Sequence, residues 1–275
     1  MQRTFIAARP ARWVGRALVA AGLLTAALPA TAQNTRLADR NTIGWLTNTT
    51  TLRLAERWSG HLEYQLRRDQ GLARWQQSLL RTGLNYQLND KLTVRFGYAW
   101  IETFPYGDFP IQGAGRQFPE HRLYQMATLS NPLGRVEISH RFMLEQRWFG
   151  RYLSPDSPGP DDWVYVNRAR YMARVQAPLH APNPQNRGPY AAAYNEILLG
   201  FGRNVNENVF DQNRLALLLG YRFGPKFRVE GGFFQQLLQL PREVDSRNVF
   251  QRNNGFILNT VVNLDLRKPA PVPTN

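Results

Sequence analysis

Arginine and glutamate fall on alternate positions in several segments of this sequence. The set is Glu63, Arg67, Arg81, Arg95, Glu137, Arg141, Glu145, Arg147, Arg168, Arg170, Arg174, Glu196, Arg214, Arg222, Arg228 and Glu230. A guanidinium is a planar fork that holds a carboxylate or another oxyanion through paired hydrogen bonds. Eleven arginines against five glutamates can therefore do two things: neutralise one another as a polar filling, or leave positive charge that favours anions. Glu137, Glu145, Glu196 and Glu230 are expected to serve Arg141, Arg168, Arg170 and Arg214. Arg168, Arg170 and Arg174 lie two and four residues apart on one strand, and they repel one another unless an acid or an anion lies between them.

Other chemistries are quickly bounded. The chain has no cysteine, which excludes disulfides, thiol nucleophiles and Cys-ligated metals. Its histidines are His61, His121, His140 and His180. Ser139 adjoins His140, but neighbours in a strand point to opposite faces, so a nucleophile for His140 would have to come from another strand, with Ser130 and Ser78 the candidates. A Ser–His–acid site is assembled by geometry, and no such grouping is visible here. A lipid-modifying hydrolase using a lipid-facing His140 stands as the alternative function. Asp156, Asp161 and Asp162 read as turn formers and not as calcium ligands. Gly113-Ala114-Gly115 lacks the strand–helix context of a dinucleotide site. No catalytic residue, metal or cofactor is expected.

The elements that carry these residues read in period two. In Leu92 to Trp100 the residues Leu92, Val94, Phe96, Tyr98 and Trp100 share one face, opposite Thr93, Arg95, Gly97 and Ala99. That is a strand pattern. Eleven such segments are expected: 42–54, 60–68, 74–88, 91–101, 121–129, 135–149, 163–177, 190–201, 212–223, 226–237 and 250–266. Most reach the roughly 9 residues that a tilted strand needs to cross a bilayer. Tight turns (89–90, 131–134, 224–225) alternate with long polar loops (102–120, 150–162, 202–211, 238–249), the layout of an outer-membrane barrel with its turns in the periplasm. Trp45, Trp58, Trp75, Trp100, Trp148 and Trp163 fall near strand ends, where indoles sit at a lipid–water boundary. A soluble barrel or sandwich would show the same alternation.

The N-terminus favours export. Four arginines without an acid precede the apolar run Ala17–Ala30 and the small residues Ala30-Thr31-Ala32, the order of a signal peptide cleaved after Ala32. Its removal lowers the bases from 34 to 30 against 20 acids, a net +10 in place of +14, and makes nucleic acid an unsuitable partner. The mean hydropathy of −0.45 follows from alternation, in which only every second residue faces lipid.

Ser139-His140-Arg141-Phe142-Met143-Leu144-Glu145-Gln146-Arg147 resembles the "SHR…LEQR" strand of a family of bacterial outer-membrane barrels catalogued as domain of unknown function 2490. Glu120–Gln125, Tyr194-Asn195-Glu196 and Phe210–Arg214 agree with it, and the resemblance spans about residues 42 to 266. It implies an outer-membrane β-barrel with charged residues inside, without a reaction or ligand. Such barrels usually finish on an aromatic residue that the assembly machinery reads, whereas this chain ends its last strand at Leu264-Asp265-Leu266-Arg267, followed by a Pro-rich tail.

The expectation is an all-β, antiparallel, up-and-down transmembrane barrel of about 12 strands, with 10 as the alternative, since an all-antiparallel barrel with both termini in the periplasm needs an even number. Asn34–Asn41 is the candidate for the missing strand. The domains are a signal peptide (1–32), an N-terminal segment (33–41), the barrel (42–267) and a tail (268–275). The function expected is structural or transport, as a porin-like protein of the bacterial outer membrane, with a narrow anion-favouring pore as its sharper form. Its partners would be outer-membrane lipid, the barrel assembly machinery and a small anionic solute.

Overall fold

A computed structural model describes residues 36–181, 183–205 and 208–267. The expected signal peptide and the tail from 268 lie outside the described residues. The eleven segments of alternating polarity form eleven strands: β1 (Arg36–Arg53), β2 (Trp58–Asp69), β3 (Arg74–Gln87), β4 (Leu92–Thr103), β5 (Phe118–Leu133), β6 (Val136–Arg151), β7 (Asp162–Pro178), β8 (Gly188–Phe201), β9 (Phe210–Arg222), β10 (Phe227–Val244) and β11 (Arg247–Asp265). Each pairs with its neighbours in sequence, and β1 pairs with β11 to close the barrel. No helix among the described residues is long and apolar enough to cross a membrane, which says nothing of crossing by strands.

The count of eleven corrects the expected twelve. Evenness is required only if every pair is antiparallel. Here β1 and β11 run parallel, in unbroken register from Arg36↔Asn248 to Arg53↔Asp265. The region of Asn34–Asn41, as far as it is described, is the start of β1 and not a separate strand. The expectation that both termini lie on one side falls with it. One end of the barrel, the turn end, carries connections 54–57, 88–91, 134–135, 179–187 and 223–226 and the end of β11. The loop end carries 70–73, 104–117, 152–161, 202–209 and 245–246 and the start of β1.

A second correction concerns 238–249, expected as a long loop. It is strand apart from Asp245-Ser246, both at positive φ (50° and 57°), the conformation of a tight two-residue hairpin turn. The turn lacks the glycine that usually marks it, and Pro241 falls inside a register shift between Gln239 and Glu243, so the local signals read as a loop. At 12 to 19 residues, the strands exceed the roughly 9–11 needed to span.

The outer face is apolar. Leu62, Leu80, Phe96, Phe142, Leu217 and Leu219 are exposed there, as alternation requires. Trp58, Trp75, Trp100 and Trp163 are exposed as well. Trp45 is not: it is 3% exposed and packs against Phe234 inside the barrel. Its strand has threonine or asparagine on both faces from Thr47 to Thr51, so no apolar face marked which way Trp45 points.

Close packing inside depends on missing side chains at two points. Tyr124 lies across Gly83 and Gly97 and donates to Thr82 O at 3.0 Å. A Cβ on Gly97 would lie 2.6 Å from Tyr124 Cζ and closer still to Thr82 O. Gly97→Val is therefore expected to cost about 1–3 kcal/mol, read as a lower urea midpoint for loss of the compact, heat-modifiable form on a gel; an unchanged midpoint would mean that the ring has room to move.

Candidate functional site: a charged layer between two chambers

The interior of the barrel has two kinds of wall. A band of it running from β8 through β11 to β1 is apolar, built from Ile43, Trp45, Tyr190, Ala192, Ala216, Leu218, Phe234 and Ile257, although the same strands also carry buried Glu196, Arg214 and Glu230. The rest is charged. Strand register brings the charges together, because Glu63 lies directly opposite Arg81, Glu145 opposite Arg168 and Glu196 opposite Arg214, and facing side chains on one side of a sheet are within contact distance.

Two glutamates organise the centre. Glu145 accepts from Arg168 Nε at 2.6 Å and Arg170 Nη1 at 2.9 Å, with Arg122 Nη1 3.7 Å away. Glu196 accepts from Arg170 Nη2 at 2.7 Å and Arg141 Nη2 at 2.8 Å, with Arg214 Nη1 at 3.5 Å. Toward the turn end, Arg81 meets Glu63 at 2.5 Å, and His61 Nε2 lies 3.5 Å from the same carboxylate. Arg174 holds Glu230 through both Nη atoms (3.1 and 2.6 Å), and the Tyr190 hydroxyl donates to Glu230 at 2.8 Å.

The repulsion within Arg168, Arg170 and Arg174 is thus relieved by Glu145, Asp211, Glu196 and Glu230, acids of the chain itself. Of the acids expected to serve the arginines, Glu145, Glu196 and Glu230 do. Glu137 is exposed at the turn end and makes no ion pair among the described residues. Arg95 donates to Asn85 and Arg222 to Asn186, both neutral partners, and Arg228 makes no ion pair among the described residues. The alternation did not single out Glu120, Arg122 or Asp211. Glu120 chelates Arg122 (2.6 and 2.8 Å) and also takes Arg147, while Asp211 accepts from Arg168 Nη1 at 2.6 Å.

Two chambers flank this layer, and no residue lines both. The one at the turn end, about 630 Å³, is bounded by Arg95, Thr128, Lys226 and Asn263 among others. The one at the loop end, about 120 Å³, lies over Arg67, Arg122, Arg147, Arg168 and Arg214. Loop 104–117 crosses its mouth. Asn253 Nδ2 donates to the Tyr106 hydroxyl (3.2 Å), Gln251 to Phe109 O (2.9 Å), Arg242 to Pro110 O (2.8 Å), and Gln112 to Gly150 O (2.7 Å). Arg116 ties it to loop 152–161 through Pro155 O and Ser157 O.

The alternative site gains no geometry. His140 lies on the outer face and shares a hydrogen bond with the Tyr171 hydroxyl at 2.9 Å. Ser78 bonds Tyr64, and Ser130 lies opposite Ser139. Among the described residues no group of three or more His, Cys, Asp or Glu side chains is placed to hold a metal ion.

Residues 42–247 match the family described as "Protein of unknown function (DUF2490)". The chain belongs to that family. No curated protein matches it. Among solved structures, the NanC porin is similar over 76% of this chain and 92% of its own, at 14% identity and a TM-score of 0.41.

Glu196→Gln leaves Arg141, Arg170 and Arg214 short of one shared counter-charge. It is expected to cost about 3–5 kcal/mol, against no more than about 0.5 kcal/mol for Glu137→Gln at the exposed rim; equal midpoints for the two in urea unfolding would rule out the layer as a stabilising unit. In loop 152–161 the Leu153 backbone N–H and the Ser157 hydroxyl both donate to Asp161 (2.8 Å each) and hold its carboxyl below the usual carboxylate range. The loop contacts that need the ionised form are therefore complete above that range and lost as pH falls through the lowered value. The Leu153 amide resonance is expected to titrate below the ordinary Asp range, and titration within or above that range would contradict the geometry.

Proposed function

We propose that this chain is an exported barrel of the bacterial outer membrane, its turn end in the periplasm, in which the charged layer is a closed septum. The carrying observation is that Glu145, Arg168, Arg170 and Glu196 are buried inside the barrel and paired with one another. Arg–carboxylate pairs at 2.6–2.9 Å hold their side chains across the path that a hydrated ion would need. The resting protein is on this reading a structural barrel with a blind pocket at each end, without a standing pore and without a catalytic group. Its surroundings are outer-membrane lipid, and its insertion depends on the barrel assembly machinery. An anion-favouring passage is the reading's second form, supported by the excess of interior arginine over acid, and it requires the septum to open.

In planar bilayers the wild-type protein is expected to give no steady conductance steps. The double variant Arg170→Ala, Glu196→Ala is expected to give steps with anion preference, because the remaining interior arginines outnumber the acids. Steady steps from the wild-type chain would overturn the septum and favour the open pore.

A further inference from the structure

Arg67 is the one member of the loop-end chamber floor whose charge has no acid against it among the described residues. The other four are paired: Arg122 and Arg147 with Glu120, Arg168 with Asp211 and Glu145, and Arg214 with Glu196. Arg67 is only 5% exposed. It donates to the neutral amides of Gln65 (2.9 Å) and Gln77, and its guanidinium stacks on Trp45 at 3.9 Å from the ring centre. A buried cation is tolerable when a counter-charge reaches it, and the chamber that Arg67 lines is the space from which one can come. Among the described residues the acids nearby are engaged elsewhere: Asp211 serves Arg147 and Arg168, and Asp69 lies 3.6 Å from Arg74. Glu145 and Glu196 each already serve three guanidiniums, and Glu120 serves two.

The chamber also carries apolar surface. Ile111, Phe118, Phe149, Val205 and Leu238 line it together with the arginines. Forked donors on the floor suit a carboxylate, and apolar walls favour one with an organic body over a hydrated inorganic ion. The volume of about 120 Å³ holds roughly eight water-sized groups, the size of a short aliphatic or single-ring acid. Loop 104–117 contributes Ile111 and Gln112 to the lining. We propose that the loop-end chamber binds a small organic carboxylate, with Arg67 as the residue that its charge neutralises and the apolar walls receiving its body. The site does not depend on whether the layer beneath it conducts.

The test is calorimetric titration of the detergent-solubilised full chain with benzoate and butyrate, against benzamide, butyramide and inorganic phosphate. The two carboxylates are expected to bind saturably at one site and the amides not at all. Arg67→Gln and Arg147→Gln are each expected to weaken benzoate by about ten-fold or more, while Lys226→Gln at the turn end leaves it unchanged. Each variant is first checked for the compact, heat-modifiable form, and Arg147, the less buried of the two, carries the test if Arg67→Gln does not fold. Equal binding of acid and amide, or benzoate affinity untouched by the arginine variants, overturns the site. Phosphate binding as tightly as benzoate overturns the organic ligand.

Discussion

A charge buried inside a barrel must be met by another charge, and most of this structure follows from meeting that demand. Glu145 and Glu196 each hold three guanidiniums, and they can do so only because β6, β7, β8 and β9 are paired in one particular register. A slip of one residue between any two strands would turn a row of arginines to the apolar outer face, which in a bilayer would cost about 2–4 kcal/mol for a charge at mid-depth. The network therefore acts on topology as well as on stability: it makes alternative strand pairings expensive on the charged side of the barrel.

The opposite wall works differently. Between β8 and β1 the inward residues Tyr190, Ala192, Leu218, Phe234 and Ile257 form one apolar cluster, so that band of the interior resembles the core of a soluble protein, beside the charges that the same strands also turn inward. Trp45 stands at the boundary, stacked under Arg67 and Arg214 on one side and against Phe234 on the other, with its indole N–H on Gln76 at 2.8 Å. Tyr124 and Tyr190 fill the space over Gly97 and Gly220. Packing of this kind fills part of the interior with side chains, in addition to the charged pairs.

Much of this was legible in the chain. All eleven strands, the inward face of most charges and the lipid-facing aromatics follow from period-two alternation. The failures have physical causes. Leu217-Leu218-Leu219 and Ala191-Ala192-Ala193 are apolar on both faces, so alternation is silent about the inner apolar wall. Glu120 sits where a long polar loop was expected to end, although Phe118 already begins β5, and with it the chelate to Arg122 was hidden. Asp211 likewise lay at the end of the expected loop 202–211, although Phe210 already begins β9. The parallel seam between β1 and β11 leaves no local mark, because closure joins segments more than two hundred residues apart.

That seam sets a parity. Barrels enlarge or shrink naturally by whole hairpins, two strands at a time, which keeps their number odd or even and keeps the character of the closing pair. Eleven strands closed by a parallel pair cannot be reached from an even, fully antiparallel barrel by any number of hairpin gains or losses. A single strand must be won or lost, and one chain end must move to the opposite end of the barrel when that happens. The same geometry forbids a short splice between Arg36 and Asp265, which lie at opposite ends of the barrel: a rearranged chain that joins them would need a linker running the full height of the wall.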